Sequence, residues 1–188
     1  MKYLLAIAAV FLAIACSKPM PKPYGYYRID LPPHEYTVFD SVFPPCSFDI
    51  SRYAQVQPKH AKNTQEEWID IVYPSFNGKI HCSYIKLNSD FRQVSEDSRN
   101  LVYKHTVRAD DIVEQFYENP DERVYGIFYR ITGNAASPAQ FVLTDSVHHF
   151  LRGALYFNAV PNADSIAPVA AYVEQDLRHL IETIKWKK

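Results

Sequence analysis

Two hydrophobic periods run through this chain, and each predicts a different element. Alternation of apolar and polar residues marks extended strands, and recurrence every three to four residues marks helices. In "VYGIFYRI" (124–131) Tyr125, Ile127, Tyr129 and Ile131 share one side of an extended segment. "WIDIVYP" (68–74) and "KIHCSYIKL" (79–87) flank "SFNG", where Asn77-Gly78 predicts a hairpin. "SFDI" (47–50), "QFVLTDS" (140–146) and "FLRGALYF" (150–157) read as further strands, with "GNAASP" (133–138) as a turn between two of them. The stretch 108–118 is read as a strand from Ile112 that turns at "ENPDE". "YGYYRIDLPPHEY" (24–36), broken by Pro32 and Pro33, is read as an extended arm along the body.

Helical spacing appears twice. Phe91, Val94, Ser98, Leu101, Val102 and His105 line one face of a segment whose other face carries Arg92, Gln93, Glu96, Arg99 and Lys104. Ser89 or Asp90 would cap it. Near the C-terminus, Ile166, Val169, Ala170, Val173, Leu177, Leu180, Ile181 and Ile184 form a cleaner stripe. Ser165 as N-cap would put Pro168 in the first turn, where a missing N–H costs nothing. Strands, helix, strands and helix joined by short turns describe an α+β fold: an antiparallel β-sheet flanked by two main helices. By analogy the arrangement is similar to a PsbP/Mog1-like α/β sandwich.

The N-terminus changes the picture from a free domain to a tethered one. Lys2 is followed by "YLLAIAAVFLAIA" (3–15), an apolar run too short for a bilayer-spanning helix, which needs ~20 residues. It reads as a signal peptide over residues 1–15. Cys16 follows the small Ala15 and so resembles a lipobox cysteine, lipidated and first in the mature chain. Pro19, Pro21 and Pro23 make residues 16–23 a stiff tether of ~3.1 Å per residue. Lys18 and Lys22 suit anionic headgroups. Residues 24–188 are then expected to form a single α+β domain facing the periplasm, because no acidic export run follows Cys16.

Removing residues 1–15 leaves 173 residues with 19 basic and 21 acidic side chains. No basic face is visible, so nucleic acid is not an expected partner. Fourteen Tyr and eleven Phe against five Gly predict a sheet-rich, well-filled core. With Cys16 spent on lipid, Cys46 and Cys82 remain, either as a disulfide or as two buried thiols. There is no Cys-x-x-Cys or His-x-x-x-His spacing, and neither metal nor cofactor is expected.

The densest polar chemistry is "TDSVHHFLRGALYF" (144–157), which holds Asp145, Ser146, His148, His149 and Arg152. A Ser-His-Asp triad needs the imidazole between the other two side chains. On a strand, Ser146 and His148 would share one face, with Asp145 and His149 on the other. Neighbouring histidines on a strand also diverge, which disfavours a metal site. The alternative is structural: Leu151, Leu155 and Phe157 face the core, while Arg152 and Tyr156 face away, with Arg152 pairing Asp145 or Asp164. His81 and His105 read as half-buried, hydrogen-bonded groups. His34, His60 and His179 are expected to be solvated.

Several ordered motifs carry a family resemblance. They are "PKPYGYYRIDLP", "IHCSY", "DSRNLVYKHTVRADDI", "VYGIFYRITGNAASPAQF", "TDSVHHFLRGALYFN", "PNADSIAPV" and the terminal "IKWK". Together, from the signal to Trp186, they resemble the gliding motility-associated lipoprotein GldD family of the Bacteroidota. The resemblance implies a non-enzymatic, lipid-anchored envelope component that supports assembly or stability of gliding and type IX secretion proteins. It implies other gliding lipoproteins as partners and no catalytic residues. The outer membrane is preferred to the inner as the anchor site. Asn134, Asp145, Arg152, Tyr156 and Asp164 are the candidates for a partner surface or structural polar network. The competing reading is a lipid-anchored periplasmic ligand-binding protein or hydrolase that uses the 145–152 segment.

Overall fold

In chain order the elements are β1 (Tyr36–Asp40), β2 (Cys46–Ser51), β3 (Gln55–His60), β4 (Glu66–Tyr73), β5 (Gly78–Lys86) and α1 (Phe91–Tyr103). They continue with β6 (Ala109–Asn119), β7 (Val124–Gly133), β8 (Ala139–Thr144), β9 (His149–Phe157), α2 (Ala163–Thr183) and β10 (Lys185–Trp186). The computed structural model describes residues 25, 28–42, 44–60 and 66–187. The expected signal peptide (1–15), the lipidated Cys16 and the tether (16–23) lie outside the described residues.

The α+β architecture is the expected one. Seven strands form the main sheet in the order β3-β4-β5-β9-β8-β7-β6, and β1-β2-β10 form a small second sheet. Every adjacent pair is antiparallel. One face of the main sheet packs against α2 and the small sheet. From α2, Val169, Val173, Leu177, Leu180 and Ile181 join Phe48 of β2 and Phe141, Leu151 and Leu155 of the main sheet in one apolar cluster. Each such side chain contributes about 1.5–3 kcal/mol relative to exposure.

Among the described residues the other face is covered only in part. Val102 of α1 packs with Tyr129, Ile131 and Ala135 in a separate small cluster. Alternation along β7 explains the division, since Val124 and Phe128 enter the main core while Tyr129 and Ile131 enter the small one.

Several local expectations are corrected. β6 begins at Ala109 rather than Ile112, and β1 and β3 were not expected. Pro58 disguises β3, which can hold a proline because it is an edge strand. The expected β4–β5 hairpin is present, and its connection is a 3-10 turn, Pro74–Phe76, followed by Asn77 in the left-handed region (φ 51°). The N-cap of α2 is Asn162, whose side chain accepts from the Ser165 N–H, so Pro168 lies in the second turn instead of the first. Asp90 caps α1 by position, and its Oδ1 accepts from the Asn88 N–H at 2.9 Å. The 24–36 arm is exposed over Arg28–Leu31 and becomes partly buried at Pro32 and His34. Cys46 and Cys82 are buried free thiols in the main core. Burial pushes the Cys46 thiol up to about 12, and it pushes Cys82 up as well.

Candidate functional site

The polar segment singled out in the sequence is not one continuous strand. β8 stops at Thr144 and β9 starts at His149, so Asp145–His148 form a tight turn. The turn is built by one side chain. Asp145 Oδ1 accepts from the backbone N–H groups of Val147 (3.0 Å), His148 (2.7 Å) and His149 (2.8 Å). Ser146 takes a left-handed backbone (φ 66°), and its N–H donates to Thr144 Oγ1 at 2.8 Å. Thr144 Oγ1 in turn donates to the His149 carbonyl at 2.7 Å. The His148 carbonyl accepts from the Leu87 N–H at 2.9 Å, which fastens the turn to the end of β5.

This geometry replaces the face assignment expected for residues 145–149. Asp145 is buried, and burial alone would raise its pKa. The N–H groups of His149, His148 and Val147 outweigh that and hold the carboxyl below the usual range. It is therefore a fixed anionic acceptor, occupied by the backbone. Among the described residues, Ser146 Oγ makes no hydrogen bond to a histidine, and no group of three or more His, Cys, Asp or Glu side chains could hold a metal ion.

Around the turn lies a cavity of about 760 Å³, lined by Tyr84, Arg123, Asp145, His149, Trp186 and others. Tyr84 Oη and His149 Nδ1 are hydrogen-bonded at 2.8 Å. The His149 ring stacks on Trp186, with centroids 5.0 Å apart and planes 4° from parallel. Burial lowers the His149 pKa and outweighs the opposing pull of Asp145, so the imidazole is held neutral. Arg123, at the β6–β7 turn with φ 54°, sits 3.9 Å from Asp145 Oδ2, and His148 Nδ1 sits 3.5 Å from the same oxygen.

The five residues expected to form one surface occupy three places. Asp145 belongs to the turn. Its charged neighbours are Arg123 and His148, in place of the expected Arg152. Asn134 and Asp164 meet at the N-terminus of α2. Asn134 Oδ1 accepts from the Ala163 N–H at 3.0 Å, and Asp164 stands in the first turn, where the helix dipole favours an anion. Arg152 and Tyr156 face the half-covered side of the main sheet, as their alternation predicts, and line a groove beneath α1.

His34 and His179, expected in solvent, instead pair with Asp176 and Asp49 at 2.6 and 3.0 Å. His81 is exposed rather than half-buried, but it is hydrogen-bonded as expected, paired with Asp70 at 2.6 Å. The side chains of His60 and His105 lie outside the described residues. Sequence reasoning missed Tyr84, Arg123 and Trp186 because each reaches the turn from a distant element.

A family model described as gliding motility lipoprotein GldD matches residues 16–186. No curated protein and no solved structure matches the chain.

Proposed function

This chain belongs to the GldD family of gliding motility lipoproteins, and from that premise we propose that it is a non-enzymatic, lipid-anchored component supporting assembly or stability of gliding and type IX secretion proteins. The observation that carries this reading is the extent of the match, which begins on Cys16 itself and runs to Trp186. Cys16 is thereby the first family residue and also the residue that the signal pattern marks for lipid. The domain then faces the periplasm on a proline-rich tether. Among the described residues no helix is long and apolar enough to cross a membrane.

The geometry of the 145–148 turn supports a structural role for that segment. Asp145 Oδ1 is taken by three backbone N–H groups, and its Oδ2 faces both Arg123 at 3.9 Å and His148 Nδ1 at 3.5 Å, while Ser146 Oγ makes no hydrogen bond to a histidine, so the serine–imidazole–carboxylate order of a triad is not assembled. His149 is held between Tyr84 and Trp186, which suits a packed partner surface better than proton transfer.

The test is chemical crosslinking of the full lipidated protein in cells, followed by purification and mass spectrometry, beside Cys16→Ser. Recovery of gliding or type IX components with the wild type, and their loss with the unlipidated form, supports the reading. A wild-type protein that crosslinks to none of them would sink it. Retention of Cys16→Ser in the membrane fraction would sink the lipid-anchor part alone.

A further inference from the structure

The main sheet ends in two edge strands that are built differently. β3 has six residues and carries Pro58 and Lys59, which are common means of blocking an open edge. β6 has eleven residues and neither proline nor lysine. It is held from within, pairing with β7 from Ala109↔Gly133 to Asn119↔Val124, and its register shifts only at its start, between Ala109 and Asp111. Ile112 packs on the small cluster on one face, and Tyr117 packs on the main core on the other. Among the described residues no strand lies on the outer side of β6.

The register shows which backbone groups point outward. The Ile131 N–H donates to the Pro138 carbonyl at 2.8 Å, so Ile131 bonds toward the β8 side. Its β6 partner, Ile112, therefore directs its own N–H and C=O away from β7. The Ile112 N–H is met by its neighbour Asp111, whose Oδ1 accepts it at 2.8 Å. Antiparallel pairing repeats every second residue, so Glu114, Phe116 and Glu118 also turn their backbone groups outward. Phe116, at the centre of this row, is 79 % exposed, and Val113 on the other face is 38 % exposed. A long edge that carries an exposed ring is a template for another chain, which natural sheets block unless the pairing is used.

Charge says what kind of chain fits. The charged side chains of β6 are Asp110, Asp111, Glu114 and Glu118, all acidic. Glu114 has Arg99 Nη2 beside it at 3.7 Å and accepts from Tyr103 Oη at 2.7 Å. A second copy laid along β6 would bring two such sets of carboxylates onto one seam, and like charges across a strand pair are destabilising. A strand with cations in those places is attracted instead. Side chains that meet Glu118, Phe116 and Glu114 come from alternate positions of the incoming strand, in the order basic, apolar, basic.

We propose that β6 accepts an extended segment of a partner protein as an added strand, with Lys or Arg opposite Glu114 and Glu118 and an apolar residue opposite Phe116. Main-chain hydrogen bonds to Glu114, Phe116 and Glu118 supply the affinity, and the alternate side chains supply the selectivity. The inference goes beyond the proposed role in the gliding machinery. It rests on β6 alone, so peptide binding and the crosslinking result fail separately.

The full lipidated chain, purified in a non-ionic detergent, is titrated with a capped, fluorescein-labelled peptide, Thr-Lys-Val-Tyr-Val-Lys-Thr. Two controls are its Glu-for-Lys counterpart and a form N-methylated at the Lys and Tyr amides, which would face β6. Fluorescence polarisation should rise saturably with the basic peptide and stay flat with the acidic one. N-methylation keeps the charge and removes the donors, and should weaken binding roughly 10-fold or more. Phe116→Pro removes an outward N–H and the exposed ring but no bond to β7, and edge positions of this kind tolerate proline. It should keep the circular dichroism of the wild type and lose binding roughly 10-fold or more. Glu118→Lys should weaken the basic peptide through charge alone. A flat titration with the basic peptide overturns the proposal. So does equal binding of the N-methylated form, which would mean adhesion by charge, and so does unchanged binding to Glu118→Lys. A wild type that sediments as a dimer while Phe116→Pro sediments as a monomer would also overturn it, by making a second copy the occupant.

Discussion

His34 Nδ1 lies 2.6 Å from Asp176 Oδ1, joining the segment ahead of β1 to the middle of α2 across 142 positions of sequence. Asp176 is 3 % exposed, and its second oxygen accepts from Tyr73 Oη at 3.0 Å. The His34 ring also stacks on Tyr172, with centroids 4.2 Å apart. Burial first, and then the neighbouring Asp176, push the Tyr73 phenol far up, so it remains a donor at any physiological pH. This contact fixes where the N-terminal segment leaves the body. His34→Ala is expected to cost about 1–2 kcal/mol, and Asp176→Ala about 2–4 kcal/mol because Tyr73 loses its acceptor. Urea unfolding of the single and double variants checks this. The double variant should lose less than the sum, and strict additivity would show that the two side chains are not coupled.

The 145–148 turn makes a sharper comparison, because one carboxylate oxygen serves three N–H groups. Asp145→Asn keeps an acceptor in place and is expected to cost about 1 kcal/mol, while Asp145→Ala removes all three bonds and costs about 3 kcal/mol. The depressed carboxyl pKa adds a sign. Its contribution is present above the unfolded value of ~3.9 and is lost as pH falls through the lower folded value. The gap between wild type and Asp145→Asn should therefore close at acid pH. Unfolding midpoints at pH 7 and pH 3 measure it, and a gap that widens in acid would contradict the assignment.

The contrast between this turn and the strand after it shows what a sequence reveals. Leu151, Leu155, Arg152 and Tyr156 were legible because alternation is local and β9 keeps it without interruption. The turn was hidden because no Gly or Pro marks it. The bend comes from an Asp side chain and from Ser146 in a left-handed conformation, and the Asp145-Ser146 pair was the only signal available. Likewise the α2 stripe was legible, but its cap was assigned to Ser165, since Asn162 and Ser165 both have capping chemistry. The five candidate surface residues scattered because sequence gives their face but not their distance. The groove beneath α1 was invisible, since a gap between helix and sheet leaves no trace in either pattern.

His149 should make the fold acid-sensitive in a window that can be separated from Asp145. Burial lowers its pKa below 6.5, with His148, Arg123 and Lys86 acting in the same direction and Asp145 opposing them. For a base with a depressed folded pKa, the unfolded chain binds the proton first. The stabilising contribution is thus complete above about 6.5 and is lost as pH falls through the lower folded value. His149→Phe keeps the stack on Trp186 and removes the titration. Between pH 7.5 and 5 the wild type is expected to lose more stability than this variant, read as unfolding midpoints. Parallel profiles for the two proteins would mean that His149 is not the group responsible.

Gly153 tests the packing that separates the two faces of the sheet. It pairs with Cys82 on one side and Phe141 on the other, on the main-core face. A Cβ built on it would lie 2.3 Å from Phe141 Cε1, well inside any real contact. The Phe141 ring thus occupies the space a side chain at 153 would need, and covers the backbone there. Gly153→Ala is expected to cost about 1–3 kcal/mol through overpacking. Phe141→Leu alone should cost about 1–2 kcal/mol, because part of the ring volume becomes a cavity. When the two substitutions are combined, the smaller leucine side chain makes room for the new methyl group, so the double variant should be more stable than the two losses predict. Denaturant titration of the four proteins measures the coupling. A double variant at or below the additive sum would show that the ring does not fill the glycine's space and that the core at this row yields by moving backbone instead.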